Sequence, residues 1–383
     1  MTSLDRARAV VASWDEELRR ELPENAHLFD AHTHLGHDID GMIGDYEELT
    51  GVLDRYGFAG AFMFCLDEHD REPAFSVPND RSLAHAERSR GKLIPFVRLD
   101  LTARPIEEAT RCLDLGARGI KLHPRAQAFA LSDERLQPVF QLACERAVPI
   151  LIHGGRGLPP IAEDLEKLVR RNDGVQLIVA HAGIADMAGL AGRLGGIPGV
   201  FFDTSVWSGL DLLDLYRQIA PEQVIYASDY PYGRQPNSLL VATRTAKLAG
   251  FDDRQLRLML GVSARRIVEG EELEPLSAPK GPTSLVQPLT FARIHQYISM
   301  AVPMLWTRQR DAIGAIGLAV NASRERSNGH PEESGRIEEL LVTAQELWRA
   351  GAEVGDDEER VATFRAAIQL VNLADMVSLT TRA

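Results

Sequence analysis

Cysteine, positive charge and long hydrophobic runs are all scarce in this 383-residue chain, and each shortage excludes a class of protein. The only cysteines, Cys65, Cys112 and Cys144, are odd in number and far apart. They offer neither a disulfide framework nor a Cys-based zinc module, and a reduced, cytoplasmic setting fits that usage. All three read as small core residues, with Cys65 at a strand end. Lys and Arg total 42 against 55 Asp and Glu, a net charge of −13. A chain with that balance repels phosphate backbones and anionic lipid, so neither nucleic acid nor a membrane is expected as main partner. No uncharged run approaches the roughly 20 residues of a membrane span. No basic segment followed by an apolar one opens the sequence, so secretion is not expected either.

What remains is an ordinary globular composition, 45% hydrophobic and 25% charged. The length calls for two domains or one large barrel with an addition. After a charged amphipathic helix over residues 3–22, short apolar runs begin to alternate with helical patterns. The runs are "LFDAHTH" (28–34), "AGAFMFC" (59–65), "LIPFVRL" (93–99), "GIKLH" (119–123), "VPILIH" (148–153), "VQLIVAH" (175–181), "VFFDTS" (200–205) and "VIYASD" (224–229). Each is nearly continuous in apolar residues, as suits parallel strands buried on both faces. Between them, helices are predicted over residues 45–56, 80–90, 106–115, 133–146 and 161–171, with Gly or Pro at most joints. Eight strands alternating with helices predict an α/β fold of the (β/α)₈ TIM-barrel kind over residues 28–270, close to the usual length of about 250 residues. A doubly wound sheet usually has fewer strands and a Gly-rich phosphate turn after the first, where "HTHLGHDIDG" stands instead.

Residues 271–288 hold four prolines and read as a linker. Residues 289–383 then predict an additional all-helical C-terminal domain, broken near 326–334 and near 351–359, where the acidic "GDDEE" reads as a solvated helix start. In "LTFARIHQYISMAVPMLW", Leu289, Ile294, Ile298, Val302, Met304 and Leu305 give more apolar surface than one short helix hides. Trp306, Met300 and Met304 suit a seam between copies, so a homodimer or higher homo-oligomer through these helices is expected.

The predicted strands end in a telling set. The first closes on His32 and His34, the fourth on Lys121 and His123, the fifth on His153, the sixth on His181 and the eighth on Asp229. Barrel chemistry sits at the C-terminal ends of the strands. In a strand, residues two apart share a face, so His32 and His34 aim two imidazoles at one point. A single histidine there is readily satisfied by a neighbour; five strands capped this way are not so easily dismissed. Imidazole nitrogen and carboxylate oxygen suit a divalent cation, zinc first, with manganese or iron as alternatives, one or two ions per site.

The segments "DAHTH", "GIKLHP", "PILIHGG", "LIVAHAG" and "YASDYPY" resemble the amidohydrolase superfamily, in particular its amidohydrolase-related group, over residues 28–269. The resemblance implies metal ligands His32, His34, His153 and Asp229, with His181 as a second-metal ligand or as the catalytic acid or base. It also implies that Lys121 can be a carboxylated bridge between two metals; an ammonium contacting substrate fits equally, and an ion pair with Asp100 or Asp229 in the barrel interior is the structural alternative. The substrate contact is favoured, with His123 beside it. Ser263 departs from the asparagine common in the family's closing helix, and the helical tail has no counterpart in the family pattern.

Arg98 at the third strand end suits either an anionic substrate group or a salt bridge to a neighbouring loop carboxylate, and Arg125 after the fourth and Arg156 read the same way. Tyr230 and Tyr232 are expected along the pocket wall, and His37, Asp38 and Asp40 in the loop after the first strand, which reads as a substrate loop or a solvated turn. The expected function is a metal-dependent hydrolase acting on an amide, lactone or ester-like bond of a small, anionic molecule, with His181 and Asp229 carrying the proton. A non-oxidative, metal-dependent decarboxylase is the alternative, and a non-catalytic binding barrel the third reading.

Overall fold

The computed structural model describes residues 2–206, 208–309, 311–325 and 329–382, and the side chains at 357 and 358 lie outside that description. By contacts the chain divides into two compact units. One comprises residues 23–238 and 249–281, the other residues 1–22, 239–248 and 282–383.

Among the described residues, the larger unit is built on ten short strands. They are β1 (Phe29–His37), β2 (Ile43–Gly44), β3 (Gly60–Cys65), β4 (Leu93–Pro95) and β5 (Val97–Arg98), followed by β6 (Ile120–Leu122), β7 (Ile150–Ile152), β8 (Leu177–Val179), β9 (Val200–Asp203) and β10 (Val224–Ile225). Apart from the antiparallel β1–β2 hairpin, every ladder is parallel, in the orders β2-β1-β3-β4 and β10-β9-β8-β7-β6-β5. These two sheets are arcs of one barrel. At one joint β4 and β5 are pieces of a single strand broken at Phe96, whose N–H donates to Met63 O at 2.9 Å. At the other, β1 meets the segment after β10. Ala31 N–H donates to Tyr226 O at 3.0 Å, Asp229 N–H to His32 O at 3.0 Å, and His34 N–H to Tyr230 O at 2.7 Å.

The strand interiors are buried on both faces, as the continuous apolar runs require, and Phe62, Phe64, Phe96, Leu151, Ile178 and Phe201 fill the barrel. Several strands stop short of the predicted apolar runs at their C-terminal ends. There the backbone leaves the ladder to present polar side chains: His181 and Asp229 both take φ +59°, a left-handed conformation that residues with a Cβ rarely adopt.

The helices of this unit follow the strands. They are α2 (Tyr46–Tyr56), α3 (Ser76–Arg88), α4 (Pro105–Asp114), α5 (Leu136–Glu145), α6 (Ala162–Arg171), α7 (Met187–Leu194) and α8 (Gly209–Gln218), then α10 (Asp253–Arg257) and α11 (Ser263–Glu269). Asp45 caps α2 by accepting from Glu48 N–H at 2.8 Å, which fixes where the chain turns back from the β1–β2 hairpin. The helix α9 (Asn237–Ala249) lies mostly in the smaller unit.

That unit also holds α1 (Ser3–Glu21), α12 (Leu289–Trp306), α13 (Ala312–Ser323), α14 (Pro331–Gly351) and α15 (Asp357–Thr380). Asp356 caps α15 through Glu359 N–H at 2.8 Å, while the rest of the acidic start at 357 and 358 lies outside the described side chains. The break expected at 326–334 falls partly on residues 326–328, also outside the described residues. The apolar face of α12 is mostly covered: Phe291, Ile294, Ile298, Ala301 and Leu305 are buried, and Leu289 and Met300 are exposed. On α1, Trp14 packs under the Arg336 guanidinium of α14, 3.9 Å from the ring centre, and Glu17 pairs with both Arg336 and Arg244. Among the described residues, no helix is long and apolar enough to cross a membrane.

Candidate metal centre

Three side chains converge at the C-terminal end of the barrel. His32 Nε2 and His34 Nε2 lie 3.1 Å apart, and Asp229 Oδ1 stands 3.3 Å from each. Their pairing follows from local structure. The pleat of β1 puts both imidazoles on one face, and the backbone bonds on either side of Asp229 lock its turn against β1. Donor atoms on a tetrahedral cation with bonds of about 2.0–2.1 Å are separated by about 3.3 Å. A triangle with these edges therefore fits one face of such a coordination shell. Among the described residues these three form the group able to hold a metal ion.

The electrostatics agree with that use. Burial, reinforced by neighbouring cationic groups, holds His32 and His34 well below the ordinary imidazole range, so both stay neutral and keep a lone pair to give. Burial raises the Asp229 carboxyl well above its usual range, with Lys121 opposing. A dipositive ion would reverse that preference, since a ligating carboxylate must be ionised.

Lys121 is buried, its Nζ 3.3 Å from His32 Nε2 and 4.6 Å above the Phe64 ring. Burial draws its ammonium down to about 7. His153 and His181 stand beside the triangle, His153 Nδ1 lying 3.0 Å from His181 Nε2. His181 Nδ1 faces the Ser205 carbonyl at 2.9 Å, and since a carbonyl only accepts, the hydrogen sits on Nδ1. His181 Nε2 is thereby left to accept, and His153 Nδ1 to donate. His153 Nε2 is buried without a hydrogen-bond partner, a costly state unless a ligand takes its lone pair. Burial holds His153 down at about 2. His123 stacks on His153 with ring centres 3.9 Å apart, and its Nδ1 accepts from Ala126 N–H at 3.2 Å.

These groups line a cavity of about 480 Å³ that also meets Arg98, Arg125, Arg156 and Tyr232. Arg98 is buried, and its Nε has no hydrogen-bond partner. Its guanidinium lies 4.9 Å above the Phe75 ring, and its nearest carboxylate, on Asp67, is 3.9 Å away. Arg125 and Arg156 stand exposed at the rim. Asp38 and Asp40 line the mouth, each also accepting backbone N–H groups of the loop region: Asp38 from Asp40 at 3.0 Å and from Asp67 at 3.1 Å, Asp40 from Met42 at 2.9 Å. Tyr230 departs from expectation. It is buried away from the cavity lining, with its hydroxyl donating to Glu48 Oε2 at 2.8 Å. The cysteines carry no disulfide, and burial pushes the Cys65 thiol up to about 12.

Sequence reasoning passed over Asp203 and Ser205. Asp203 Oδ2 accepts from His32 Nδ1 at 2.8 Å, and the Ser205 hydroxyl lies 3.0 Å from His181 Nδ1. The signal was present, because "VFFDTS" ends the seventh barrel strand with a carboxylate.

No curated protein matches the chain. Solved structures of similar fold include a Staphylococcus aureus protein described as an amidohydrolase, 13% identical, covering 63% of this chain and 99% of that one, with TM-score 0.50. An Acinetobacter baumannii protein described as a 2-pyrone-4,6-dicarboxylic acid hydrolase is 15% identical over 64% of this chain and 99% of its own, TM-score 0.48. The 5-carboxyvanillate decarboxylase of Sphingomonas paucimobilis is 14% identical over 64% and 99%, TM-score 0.49. The family model described as Amidohydrolase matches residues 29–269. That match spans more than half of the chain and contains every strand-end residue of the site, so this protein belongs to the amidohydrolase family.

Proposed function

We propose that this protein is a metal-dependent hydrolase acting on an amide, lactone or ester-like bond of a small, anionic molecule. The observation that carries the reading is the His32–His34–Asp229 triangle, with edges of 3.1 to 3.3 Å, at the floor of the cavity. A divalent cation held there, zinc in this reading, supplies Lewis acidity toward a carbonyl oxygen and lowers the pKa of water to about 7. His153, with its unpaired Nε2, serves as a further ligand.

The chain's own groups then divide the work. His181 keeps its Nδ1 hydrogen on Ser205, and its Nε2, which accepts from His153 Nδ1 in the resting site, takes and returns the proton of the attacking water when that bond gives way. Asp229, whose Oδ2 lies 4.0 Å from the His181 ring, is the second group able to carry that proton. Arg98, held in a buried site with donor capacity to spare, grips the anionic group of the substrate, as a planar guanidinium does best. Lys121 and His123 orient the group next to the reacting bond, and Arg125 draws the anion in from the rim. Burial of Arg98, Lys121 and Asp229 keeps the field at the reacting atoms strong.

Arg98 and Lys121, both buried and cationic or nearly so, also suit a carboxylate that is itself the leaving group, which is the decarboxylase reading. Elemental analysis of the purified chain, followed by assays on lactones, amides and carboxylated aromatic acids, tests both. About one equivalent of metal with acid release on a hydrolysable substrate is expected. Carbon dioxide release without water consumption would replace hydrolysis with decarboxylation. A chain that stays metal-free after reconstitution would overturn both readings.

A further inference from the structure

We infer that Asp203 is a positioning residue that fixes the imidazoles of both His32 and His181, an inference that rests on the metal reading of the site for its consequence. Asp203 closes β9 and is wholly buried. Its carboxylate makes four contacts. Oδ2 faces His32 Nδ1 at 2.8 Å. Oδ1 accepts from the backbone N–H of His181 at 2.8 Å, from that of Ser205 at 3.0 Å and from the Ser205 hydroxyl at 2.6 Å.

Each contact has a consequence for a residue on another strand. An ionised carboxylate only accepts, so the hydrogen of neutral His32 sits on Nδ1, and Nε2 presents its lone pair toward His34 and Asp229. Partners of this kind fix the tautomer and ring orientation of a ligating histidine and raise its basicity. The Oδ1 bond holds the backbone N–H of His181, whose φ of +59° persists only where its surroundings over-determine it. Ser205 completes the loop, donating its hydroxyl to Asp203 while its Oγ and carbonyl meet His181 Nδ1 at 3.0 and 2.9 Å. One carboxylate thus ties a metal-facing imidazole of β1 to the histidine that follows β8. An asparagine at 203 cannot do both: its amide has one accepting oxygen, and its NH₂ would face a second donor at either His32 or His181.

The test uses the full chain with Asp203→Asn and Ser205→Ala. Zn(II) affinity of the metal-free protein, measured by competition with a chromophoric chelator, should fall about 10–100-fold in Asp203→Asn. It should stay near wild type in Ser205→Ala, where His32 keeps its partner but kcat drops with KM unchanged. The His32 tautomer, read by ¹⁵N NMR on metal-free, histidine-labelled protein with His32→Gln assigning the signal, should be Nδ1–H in wild type and should lose that preference in Asp203→Asn. Wild-type His32 protonated at Nε2 would overturn the inference even if Asp203→Asn failed to fold. So would a folded Asp203→Asn with unchanged zinc affinity and tautomer. A wild-type chain that takes no zinc but shows the Nδ1–H tautomer, lost in Asp203→Asn, would bring down the metal reading and leave the positioning role standing.

Discussion

His34 offers its Nε2 from a ring that burial keeps neutral, and Asp229 closes the triangle from a turn held on both sides by β1. Removing either atom should therefore take most of an equivalent of metal from a folded chain. Elemental analysis of His34→Ala and Asp229→Ala checks this, and full metal with full activity in Asp229→Ala would refute the assignment. Lys121→Ala should retain its metal while KM for the anionic substrate rises. Loss of a second ion, with rescue by short carboxylic acids, would instead mark Lys121 as a carboxylated bridge. Gly155 shows how tightly the neighbouring rings are set: a Cβ there would stand 2.8 Å from both His153 Cε1 and His181 Cδ2. Gly155→Ala should push the two rings apart and cut kcat/KM by about 10²-fold, the scale of loss for a misplacement near 1 Å, with little change in thermal midpoint. At this scale the sequence is most readable where a short-range rule applies. His32 and His34 share a face because the strand period is two, whereas the role of Asp203 depends on a ring 171 positions away.

The third barrel strand is the element most dependent on a side chain for its continuity. It breaks between β4 and β5, and at Arg98 the side chain of Asn79 on α3 takes the place of a neighbouring backbone. Arg98 N–H donates to Asn79 Oδ1 at 3.0 Å, Asn79 Nδ2 donates to Arg98 O at 2.9 Å, and the same amide donates to Glu108 Oε1 at 2.9 Å. Asn79→Ala would strand two buried backbone groups at a cost of about 1–3 kcal/mol each. We expect a loss of about 3 kcal/mol by urea unfolding, together with weaker binding of the anionic substrate as Arg98 loosens. A midpoint like wild type would show that water replaces the amide. The eight apolar runs were legible because buried parallel strands need no polar face. The break at Phe96 was not, because "LIPFVRL" reads as one continuous run and nothing local marks Asn79 as its partner.

For the whole molecule, the division into units follows contacts rather than chain order, since α1 and residues 239–248 group with the C-terminal helices. A change of texture after residue 270 is visible in composition, but a helix returning from the far end of the chain leaves no compositional trace. Cutting the chain at residue 285 should therefore strip α14 and α15 from the face of α1 that carries the buried Ala7, Trp14 and Leu18. The truncated protein is expected to bind a hydrophobic dye and aggregate, whereas the full chain should do neither. The expected homodimer on α12 has a smaller basis, the exposed Leu289 and Met300, because Phe291, Ile294, Ile298, Ala301 and Leu305 are covered and Val302, Met304 and Trp306 are half-buried. Light scattering should find a dimer in wild type that Leu289→Ser with Met300→Ser dissociates, and a wild-type monomer at micromolar concentration would end the proposal. The clasp of Glu17 by Arg336 joins positions 319 residues apart, and this orders events in time. On a ribosome adding roughly 5–20 residues per second, α1 emerges some tens of seconds before α14 exists. Until α9 appears its Trp14 face has no native cover, and from then until α14 emerges Arg244 lies over the ring without Arg336, so the interval is the stage at which a holding chaperone would be most needed and a nascent-chain protease most dangerous.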